Sequence, residues 1–396
     1  MNQQSTDRLH ILYLPKWYPH KYDPMPGLFI ERHGISALPH CDISVLYVHA
    51  DEQQGKPTYL FDYSEQDTLN TIRIYYKRAR TGFKPLDVLI NTIRFLRSHS
   101  KGLKEIKRKY GTYNLIHVHV LTRHGVIALI EKIRKGVPYV ITEHWTRYLP
   151  ATNTFSGFFR KWMTRIVARH ASAIMPVTAN LRDAMIDCGL KNNNYIVIPN
   201  VVDTQMFSPD PNKQHGDKAR IVHVSCFEDK QKNIRGITRV IRRLAEKRQD
   251  FTVDMIGDGI HYNELVAYAE ENAIKDSFAT YHGLKENEAL AAMMKAADFM
   301  LMFSRYENLP VVILESYACG VPVLSTDVGG IREHMNDGLG ILIESEDEES
   351  LYQAMDKFLD NYKNYEPAKI RAYAVEHFSN EVIGKQLYDV YTSVTK

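Results

Sequence analysis

Two glutamates lie eight positions apart in the stretch RYENLPVVILESYACGVPVL, which spans residues 305–324. The side chains between Glu307 and Glu315 are mostly apolar, so at least one carboxylate is expected in a buried part of the chain. A buried carboxylate without a partner is costly, and a partner or a ligand is therefore expected. A carboxylate accepts two hydrogen bonds at once, which suits a vicinal diol such as that of a ribose. The alternative is structural, with one glutamate capping a helix and the other in a salt bridge.

The residues after Glu307 are predicted to begin a helix that follows a strand. Asn308 is a suitable N-cap residue, and Pro310 suits the first helical turn, where its missing N–H costs nothing. The amides of Asn308 and Leu309 would then be unpaired donors at the positive end of the helix. Such donors are available to an anion or to a sugar hydroxyl.

Two lysines follow another predicted strand, which ends at Ser225 and continues as CFEDKQKN. The small side chain of Ser225 lets a ligand approach the backbone, and Lys230 and Lys232 are predicted in the loop before a helix starting near Asn233. Lysine in such a loop suits a phosphate, as a point charge beside helix-end amides. The alternative is a solvated surface loop. The pattern GxxxxGK[ST] is absent, which disfavours a P-loop nucleotide hydrolase.

Further candidates for chemistry lie in the N-terminal half of the chain. Gly27 opens a predicted helix after a proline-rich loop, which places helix-end amides at the end of a strand. In the run VITEHW, His144 follows a strand and is available to hydrogen-bond a hydroxyl or to stabilise a developing charge. The alternative for His144 is a packed structural histidine. In LIHVHV, His117 is predicted to be structural, and the role of His119 stays open.

The elements that must position these residues are short apolar runs that alternate with longer helical patterns. Continuous apolar strands separated by helices predict parallel sheets that are covered on both faces. A stretch rich in Pro, Asn, Asp and Gly interrupts the pattern at 198–218 and predicts a linker. The predicted strands are 11–14, 43–48, 71–76, 115–120, 138–142, 172–177 and 195–199 before it, and 219–225, 251–257, 278–283, 298–303, 321–325 and 340–343 after it.

The chain is therefore predicted to be α/β, with two Rossmann-like, parallel-sheet domains that face each other across a cleft. The predicted N-terminal domain is 1–199 and the C-terminal domain is 200–378. An amphipathic helix within 379–396 is predicted to pack back on the N-terminal domain. Ligands of such sheets bind at the carboxyl ends of the strands, so the candidate residues are expected to meet in the cleft.

The composition is that of an ordinary globular protein, with 396 residues, 44% hydrophobic and 24% charged. The net charge of +3 is too small to indicate nucleic acid by itself. The four cysteines have no metal-binding spacing and predict reduced thiols. The polar N-terminus lacks the layout of a signal peptide, and the apolar runs have the length of strands. These features predict a cytoplasmic protein without a membrane-spanning helix.

Basic residues are concentrated in two stretches, 73–109 and 155–170, where apolar and aromatic side chains lie between them. A basic helix that carries aromatic residues can lie on an anionic membrane surface. Peripheral contact with the inner face of the cell membrane is therefore predicted. The alternative is an ordinary amphipathic helix with a solvated basic face. The chain has no recognisable nucleic-acid-binding module, and nucleic acid is not predicted as a partner.

Three motifs together resemble the large retaining family 4 of the GT-B glycosyltransferases, and the similarity covers nearly the whole chain. The closest is RYENLPVVILESYACGVPVLSTDVGGIREHM (305–335), which carries two glutamates separated by seven residues. The others are the linker VIPNVVDTQMFSP (197–209) and the run TEHW. The run LYLPKWYPHKYDPMPGLFIERH, which contains Gly27, also resembles the N-terminal glycine loop of the family. The resemblance implies a GT-B fold and a hexosyltransferase. It would move a sugar from a nucleoside-diphosphate sugar to a glycan or to a polyprenyl or other lipid-linked acceptor.

The resemblance also implies roles for the matching positions. Glu315 would hold the donor ribose, and Glu307 with the amides of Asn308 and Leu309 would hold the transferred sugar. Lys232 would neutralise the leaving diphosphate, and Gly27 would let the N-terminal domain approach the phosphates closely. His144 would lie near the sugar and the acceptor, and Leu284 would lie where the family holds the base. Retention of the anomeric configuration is implied. No D-x-D pair occurs in the chain, and neither a metal nor another cofactor is expected.

The chain departs from the family pattern at two places that concern donor binding. Ser225-Cys226 stands where the family usually has Gly-Arg, and Lys230 is the candidate to replace the missing charge. Asn308 stands where glycine is common. Two other functions stay open: a nucleotide-sugar epimerase of the same fold, and a non-catalytic sugar-nucleotide-binding protein.

Overall fold

The computed structural model describes residues 8–53, 57–63, 68–121 and 123–395. Within these residues the strands form two separate sheets, one before and one after the predicted linker. The strands are β1 (His10–Pro15), β2 (Asp42–Asp51), β3 (Tyr59–Asp62), β4 (Asn70–Lys77), β5 (Leu115–His119), β6 (Tyr139–Glu143), β7 (Ala173–Pro176), β8 (Ala219–Val224), β9 (Phe251–Ile256), β10 (Ala279–Tyr281), β11 (Phe299–Met302), β12 (Val323–Thr326) and β13 (Gly340–Ile343).

The N-terminal sheet has the strand order β3-β4-β2-β1-β5-β6-β7, and the C-terminal sheet has the order β10-β9-β8-β11-β12-β13. Every pairing between these strands in the described residues is parallel except that of β3 with β4. The connection from β3 to β4 is too short for a crossover helix, so the two strands pair antiparallel. The sequence prediction missed β3, a short and partly exposed edge strand.

Helices cover both faces of each sheet, and each face has its own apolar cluster. This layering explains the continuous apolar strands of the sequence, because both sides of each central strand are buried. The helices are α1 (Leu28–Ala37), α2 (Lys84–Tyr110), α3 (Arg123–Lys135), α4 (Phe158–His170), α5 (Ala179–Asp187), α6 (Asp229–Lys232), α7 (Ile234–Ala245), α8 (Tyr262–Glu271), α9 (Asn287–Ala296), α10 (Val311–Ala318), α11 (Glu348–Asn361), α12 (Pro367–Phe378) and α13 (Asn380–Thr395).

The predicted strand at 195–199 is wrong. The segment follows the edge strand β7 through the hydrogen bonds Ile196 N–H to Ile174 O (3.0 Å) and Ile198 N–H to Pro176 O (3.1 Å). Its only assigned pairing is an isolated bridge, Ile174 with Tyr195. The segment ends at Pro199, which has no N–H to continue a ladder.

The C-terminal helix α13 crosses back from the C-terminal domain and packs on α1. A Cβ atom on Gly384 would lie 1.9 Å from Ser36 O, so the two helices touch through a residue without a side chain. Tyr391 donates or accepts hydrogen bonds with Tyr13 Oη and His117 Nδ1, both at 2.8 Å. The helix therefore anchors the end of the chain in the N-terminal domain. No helix in the described ranges has the length and apolar character needed to span a bilayer.

Candidate active site

A cavity of about 710 Å³ lies between the two domains, at the carboxyl ends of the C-terminal strands. The N-terminal domain contributes the start of α1, including Phe29 and Arg32. Six residues singled out in the sequence line this one cavity: Ser225, Lys232, Leu284, Glu307, Pro310 and Glu315. The structure therefore brings together residues that are up to about ninety positions apart in the chain.

Glu307 and Lys232 form an ion pair inside the C-terminal domain. Both side chains are almost fully buried, and Gln231 Nε2 also donates to Glu307 Oε2 at 3.3 Å. Burial disfavours the charged lysine, but the neighbouring Glu307 carboxylate outweighs it and raises the pKa of Lys232 above its usual value. The ammonium group therefore stays charged at neutral pH at the wall of the cavity.

Glu315 has its partner in the other domain. Arg32 Nη1 donates to Glu315 Oε1 at 2.7 Å, and the side chains are 22% and 3% exposed. The buried carboxylate expected from the sequence is thus neutralised by a cation from across the cleft. Sequence reasoning missed Arg32, although its place within α1, which Gly27 opens, is a usable signal for a cation facing the cleft.

The loop that carries Glu307 is held by the neighbouring glycine turn. Gly329 has φ 60°, and a Cβ atom there would lie 1.9 Å from Glu307 O. The next amide, Gly330 N–H, donates to Asn308 O at 2.9 Å. Only glycine tolerates both the left-handed conformation and this close approach. The glycine turn is a positioning element for Glu307 that the sequence analysis did not single out.

The predicted N-cap at Asn308 is wrong, because α10 begins at Val311 and Pro310 occupies the capping position. Asn308 instead reaches the other domain, where its Nδ2 donates to His144 O at 2.6 Å. The amides of Asn308 and Leu309 donate to no acceptor within the described ranges. They are free donors beside the cavity, but they precede the helix and do not belong to its first turn as the sequence predicted.

Gly27 takes the left-handed conformation (φ 81°) immediately before α1. A Cβ atom on Gly27 would lie 2.3 Å from Trp17 O, so the glycine lets α1 start directly against the loop after β1. The cavity itself is lined by the next two residues, Leu28 and Phe29. The structure thus gives Gly27 a backbone role in placing the start of α1.

Lys230 does not face the cavity. Lys230 and Lys232 lie on the short helix α6 rather than in a loop, which corrects the sequence prediction. Residues two apart on a helix point to different sides, so Lys232 is buried at the cleft while Lys230 is exposed. Lys230 borders a separate surface depression with Arg235 and Glu264. The prediction that Lys230 replaces a cleft arginine is therefore wrong.

His144 lies beside the cavity and does not line it. Phe29, which does line the cavity, packs on the His144 ring with centroids 4.6 Å apart. Burial and neighbouring His33 hold the pKa of His144 well below its usual value, so the ring is neutral at physiological pH. His117 bonds Thr142 Oγ1 at 2.7 Å through Nε2, and its ring is fully buried, as a structural histidine would be.

Comparisons with known proteins give two family matches that together span residues 73–375. Residues 206–375 match the family described as Glycosyl transferases group 1, and residues 73–206 match Glycosyltransferase Family 4. The chain is 25% identical over 267 residues to the N-acetylgalactosamine-N,N'-diacetylbacillosaminyl-diphospho-undecaprenol 4-alpha-N-acetylgalactosaminyltransferase of Campylobacter jejuni, covering 65% of this chain and 71% of the relative.

Two solved structures share the whole architecture. Sucrose-phosphate synthase from Thermosynechococcus elongatus has a TM-score of 0.77 at 17% identity, over 98% of this chain and 99% of the other. Anabaena Alr3699/HepE in complex with UDP has a TM-score of 0.72 at 15% identity, over 97% and 100%. At such low identity these similarities show the fold, with two facing α/β domains.

Proposed function

We propose that this chain, a member of the group 1, family 4 type of GT-B glycosyltransferases, transfers a hexosyl group from a nucleotide sugar to a hydroxyl of a glycan or lipid-linked acceptor with retention of configuration. The observation that carries this proposal is the pair of buried carboxylates, Glu307 and Glu315, that face one interdomain cavity with a cation beside each. Such a cavity offers partners for both the hydroxyls and the diphosphate of a donor.

Donor binding would use the charged side chains that line the cleft. Glu315 accepts hydrogen bonds from the two ribose hydroxyls, at roughly 1.5–3 kcal/mol each because the acceptor is charged. Arg32, which donates to Glu315 in the structure, would then have donors free for the anionic diphosphate. Leu284, at the cavity edge, would lie against the base.

Transfer would proceed through an oxocarbenium-like sugar. The bond from C1 to the diphosphate oxygen breaks, and Lys232 with the free amides of Asn308 and Leu309 stabilises the charge that develops there. The acceptor oxygen bonds to C1 on the same face, and its proton passes to the departing diphosphate. We propose that no divalent metal is needed at the diphosphate, since lysine and amides supply the positive potential. Domain closure would exclude water and limit hydrolysis.

His144 would contact the transferred sugar or the acceptor once Phe29 shifts with the donor bound. The variant His144→Ala is expected to lose transfer while keeping donor binding, because the residue does not line the donor cavity. Transfer assays and equilibrium binding of the same donor separate the two effects. Equal loss of both would make the residue structural.

The acceptor would be lipid-linked and reached at the cytoplasmic face of a membrane. Support comes from exposed apolar residues on two basic helices of the N-terminal domain, Val88 and Leu89 on α2 and Phe158 and Trp162 on α4. Lysine and arginine side chains around them suit anionic headgroups. The name of the Campylobacter jejuni relative, which includes a diphospho-undecaprenol acceptor, also supports this assignment.

Membrane contact is tested by binding to liposomes that contain anionic lipids. Neutralising Lys104, Lys107 and Arg108 is expected to weaken binding, and added salt is expected to weaken it in the unaltered protein. The matched control neutralises three exposed lysines of the C-terminal domain, Lys357, Lys363 and Lys369. Equal binding by both triple variants would reject the basic patch.

The donor is identified by a thermal-shift screen against UDP-, GDP- and ADP-sugars, because a ligand that binds only the folded state raises the Tm. The stabilising donor is then incubated with a polyprenyl-diphosphate-linked sugar and the products are separated. Formation of a glycosylated acceptor supports the proposal. An epimerised nucleotide sugar without transfer would indicate the epimerase, and binding without any reaction would indicate a non-catalytic protein.

A further inference from the structure

Three histidines from different elements converge where the N-terminal domain meets the linker. His33 lies on α1, His119 ends β5, and His144 follows β6. One ring nitrogen from each lies within 4.8 Å of a ring nitrogen of the other two. The rings of His33 and His119 are fully buried, and that of His144 is half-buried. None of the three lines the donor cavity.

Neighbouring carbonyl groups fix the protonation of two of these rings. His33 Nε2 donates to Pro199 O at 3.1 Å, and His144 Nδ1 donates to Asn200 Oδ1 at 3.1 Å. The orientation of the Asn200 amide is itself fixed, since its Nδ2 donates to Leu309 O at 2.9 Å. The lone pairs are therefore on His33 Nδ1 and His144 Nε2. Donation of the opposite N–H to a carbonyl oxygen is the usual arrangement around a metal-binding histidine.

The third ring, His119, makes one long contact within the cluster. His119 Nδ1 lies 3.5 Å from His144 Nε2, at the long limit for a hydrogen bond. Two nitrogens bound to one tetrahedral zinc ion at about 2.0–2.1 Å are about 3.4 Å apart, which matches this separation. His33 Nδ1 has no partner among the described residues, although it is buried. Unpartnered polar atoms in such a site call for a ligand.

We propose that His33, His119 and His144 form a binding site for Zn²⁺ or a similar borderline divalent ion. Three imidazoles without a carboxylate suit zinc, whereas magnesium and calcium prefer oxygen ligands. A fourth position would remain open to water.

Metal binding there would act on the transferase from outside the donor cavity, an effect that rests on the proposed function. The ion would occupy the Nε2 lone pair of His144 and remove it from the sugar or acceptor. Through Pro199 and Asn200 it would also stiffen the linker between the domains. Zinc is therefore expected to inhibit transfer while leaving donor binding in place.

The site is tested by titrating the full chain, freed of metal with a chelator, with Co²⁺ followed by visible absorption and with Zn²⁺ in competition. One ion per chain with a tetrahedral cobalt spectrum is expected. The variants His33→Gln and His119→Gln are expected to bind at least tenfold more weakly, and the exposed control His170→Gln as tightly as the unaltered chain. Circular dichroism confirms that each variant is folded.

No stoichiometric binding, or equal binding by His33→Gln, His119→Gln and the unaltered chain, would overturn the proposal. The inhibition is measured separately, as the transfer rate with and without Zn²⁺ relative to the metal-free rate of each variant. The inhibitory concentration of Zn²⁺ is expected to be tenfold higher for His33→Gln than for the unaltered chain. Equal inhibition of the variant and the unaltered chain would reject the link between this site and transfer. A chain that binds zinc but transfers no sugar keeps the metal site and refutes the proposed function instead.

Discussion

The two glutamates of the cleft have the same chemistry but opposite relations to the fold. Glu307 pairs with Lys232 of its own domain, 75 positions away, and both residues lie on segments that follow strands of the C-terminal sheet. Glu315 pairs with Arg32 of the other domain, 283 positions away, across the cavity. The first pair persists whatever the distance between the domains, and the second exists only while the domains stay close.

This difference teaches how one cleft can combine a fixed site with a movable one. The Glu307–Lys232 pair is pre-organised and needs no rearrangement when charge develops on the leaving diphosphate. The Arg32–Glu315 pair must give way when a ribose takes its place at Glu315. Donor binding would thereby be coupled to the arrangement of the domains, because the ribose and Arg32 compete for the same carboxylate of Glu315.

The largest expected effect comes from breaking the fixed pair with Lys232→Met. Loss of the cation beside the diphosphate is expected to lower kcat by about 10²–10³-fold, as for removal of one electrostatic stabiliser. It also leaves Glu307 buried without a partner, which lowers stability by about 3–5 kcal/mol. Steady-state transfer kinetics and chemical denaturation measure the two effects.

The matched control is Lys230→Met, two positions away and exposed, for which kcat is expected to stay within about twofold of the unaltered value. The double variant Lys232→Met/Glu307→Gln should recover stability without recovering transfer. Recovery of both, or a large effect of Lys230→Met, would refute the fixed pair as the catalytic one.

The fold was largely predictable from the sequence, because the strands of a parallel sheet that is covered on both faces are apolar at successive positions. The two-domain GT-B class is confirmed by the solved structures that share it. The sequence prediction failed at the edges of the N-terminal sheet. The strand β3 is short and partly exposed, and the segment 195–199 makes its backbone hydrogen bonds to one neighbouring strand, β7. Edges receive little packing, so their patterns are weak.

The candidate site was predictable where neighbours in sequence decide it and not where distant residues do. Glu307, Glu315 and Lys232 follow strand ends, and the cavity unites them. Arg32 escaped because its partner is in another domain. Asn308 was misread as a cap because its contact, His144 O, also lies across the cleft. Single-sequence reasoning assigns a side chain to its local element and has no access to such pairings.

Breaking the movable pair from the glutamate side has an intermediate expected effect. Glu315→Ala is expected to weaken donor binding and lower turnover by at least tenfold, or about 1.4 kcal/mol, because the carboxylate that accepts hydrogen bonds from the ribose hydroxyls is removed. Donor titration and initial rates measure both. The exposed Glu376→Ala serves as the control and should behave as the unaltered protein. Unchanged donor kinetics in Glu315→Ala would remove Glu315 from the ribose site.

The smallest expected effect on transfer comes from breaking the same pair from the arginine side. Arg32→Gln removes the cross-domain partner of a buried carboxylate, so the free energy of unfolding is expected to fall by about 1–3 kcal/mol. A bound donor should offset part of this loss by hydrogen bonding to Glu315, giving a larger thermal shift than in the unaltered protein. Additive effects of Arg32→Gln and Glu315→Gln in a double-mutant cycle would contradict the pairing.

The central claim, that Glu315 binds the donor ribose, is tested most directly by comparing a nucleoside diphosphate with its 2′,3′-dideoxy analogue. The Kd of each is measured for the unaltered protein and for Glu315→Ala. The unaltered protein is expected to bind the dideoxy analogue at least tenfold more weakly than the nucleoside diphosphate, and the variant is expected to bind the two ligands nearly equally. Equal binding of both ligands by the unaltered protein would contradict it.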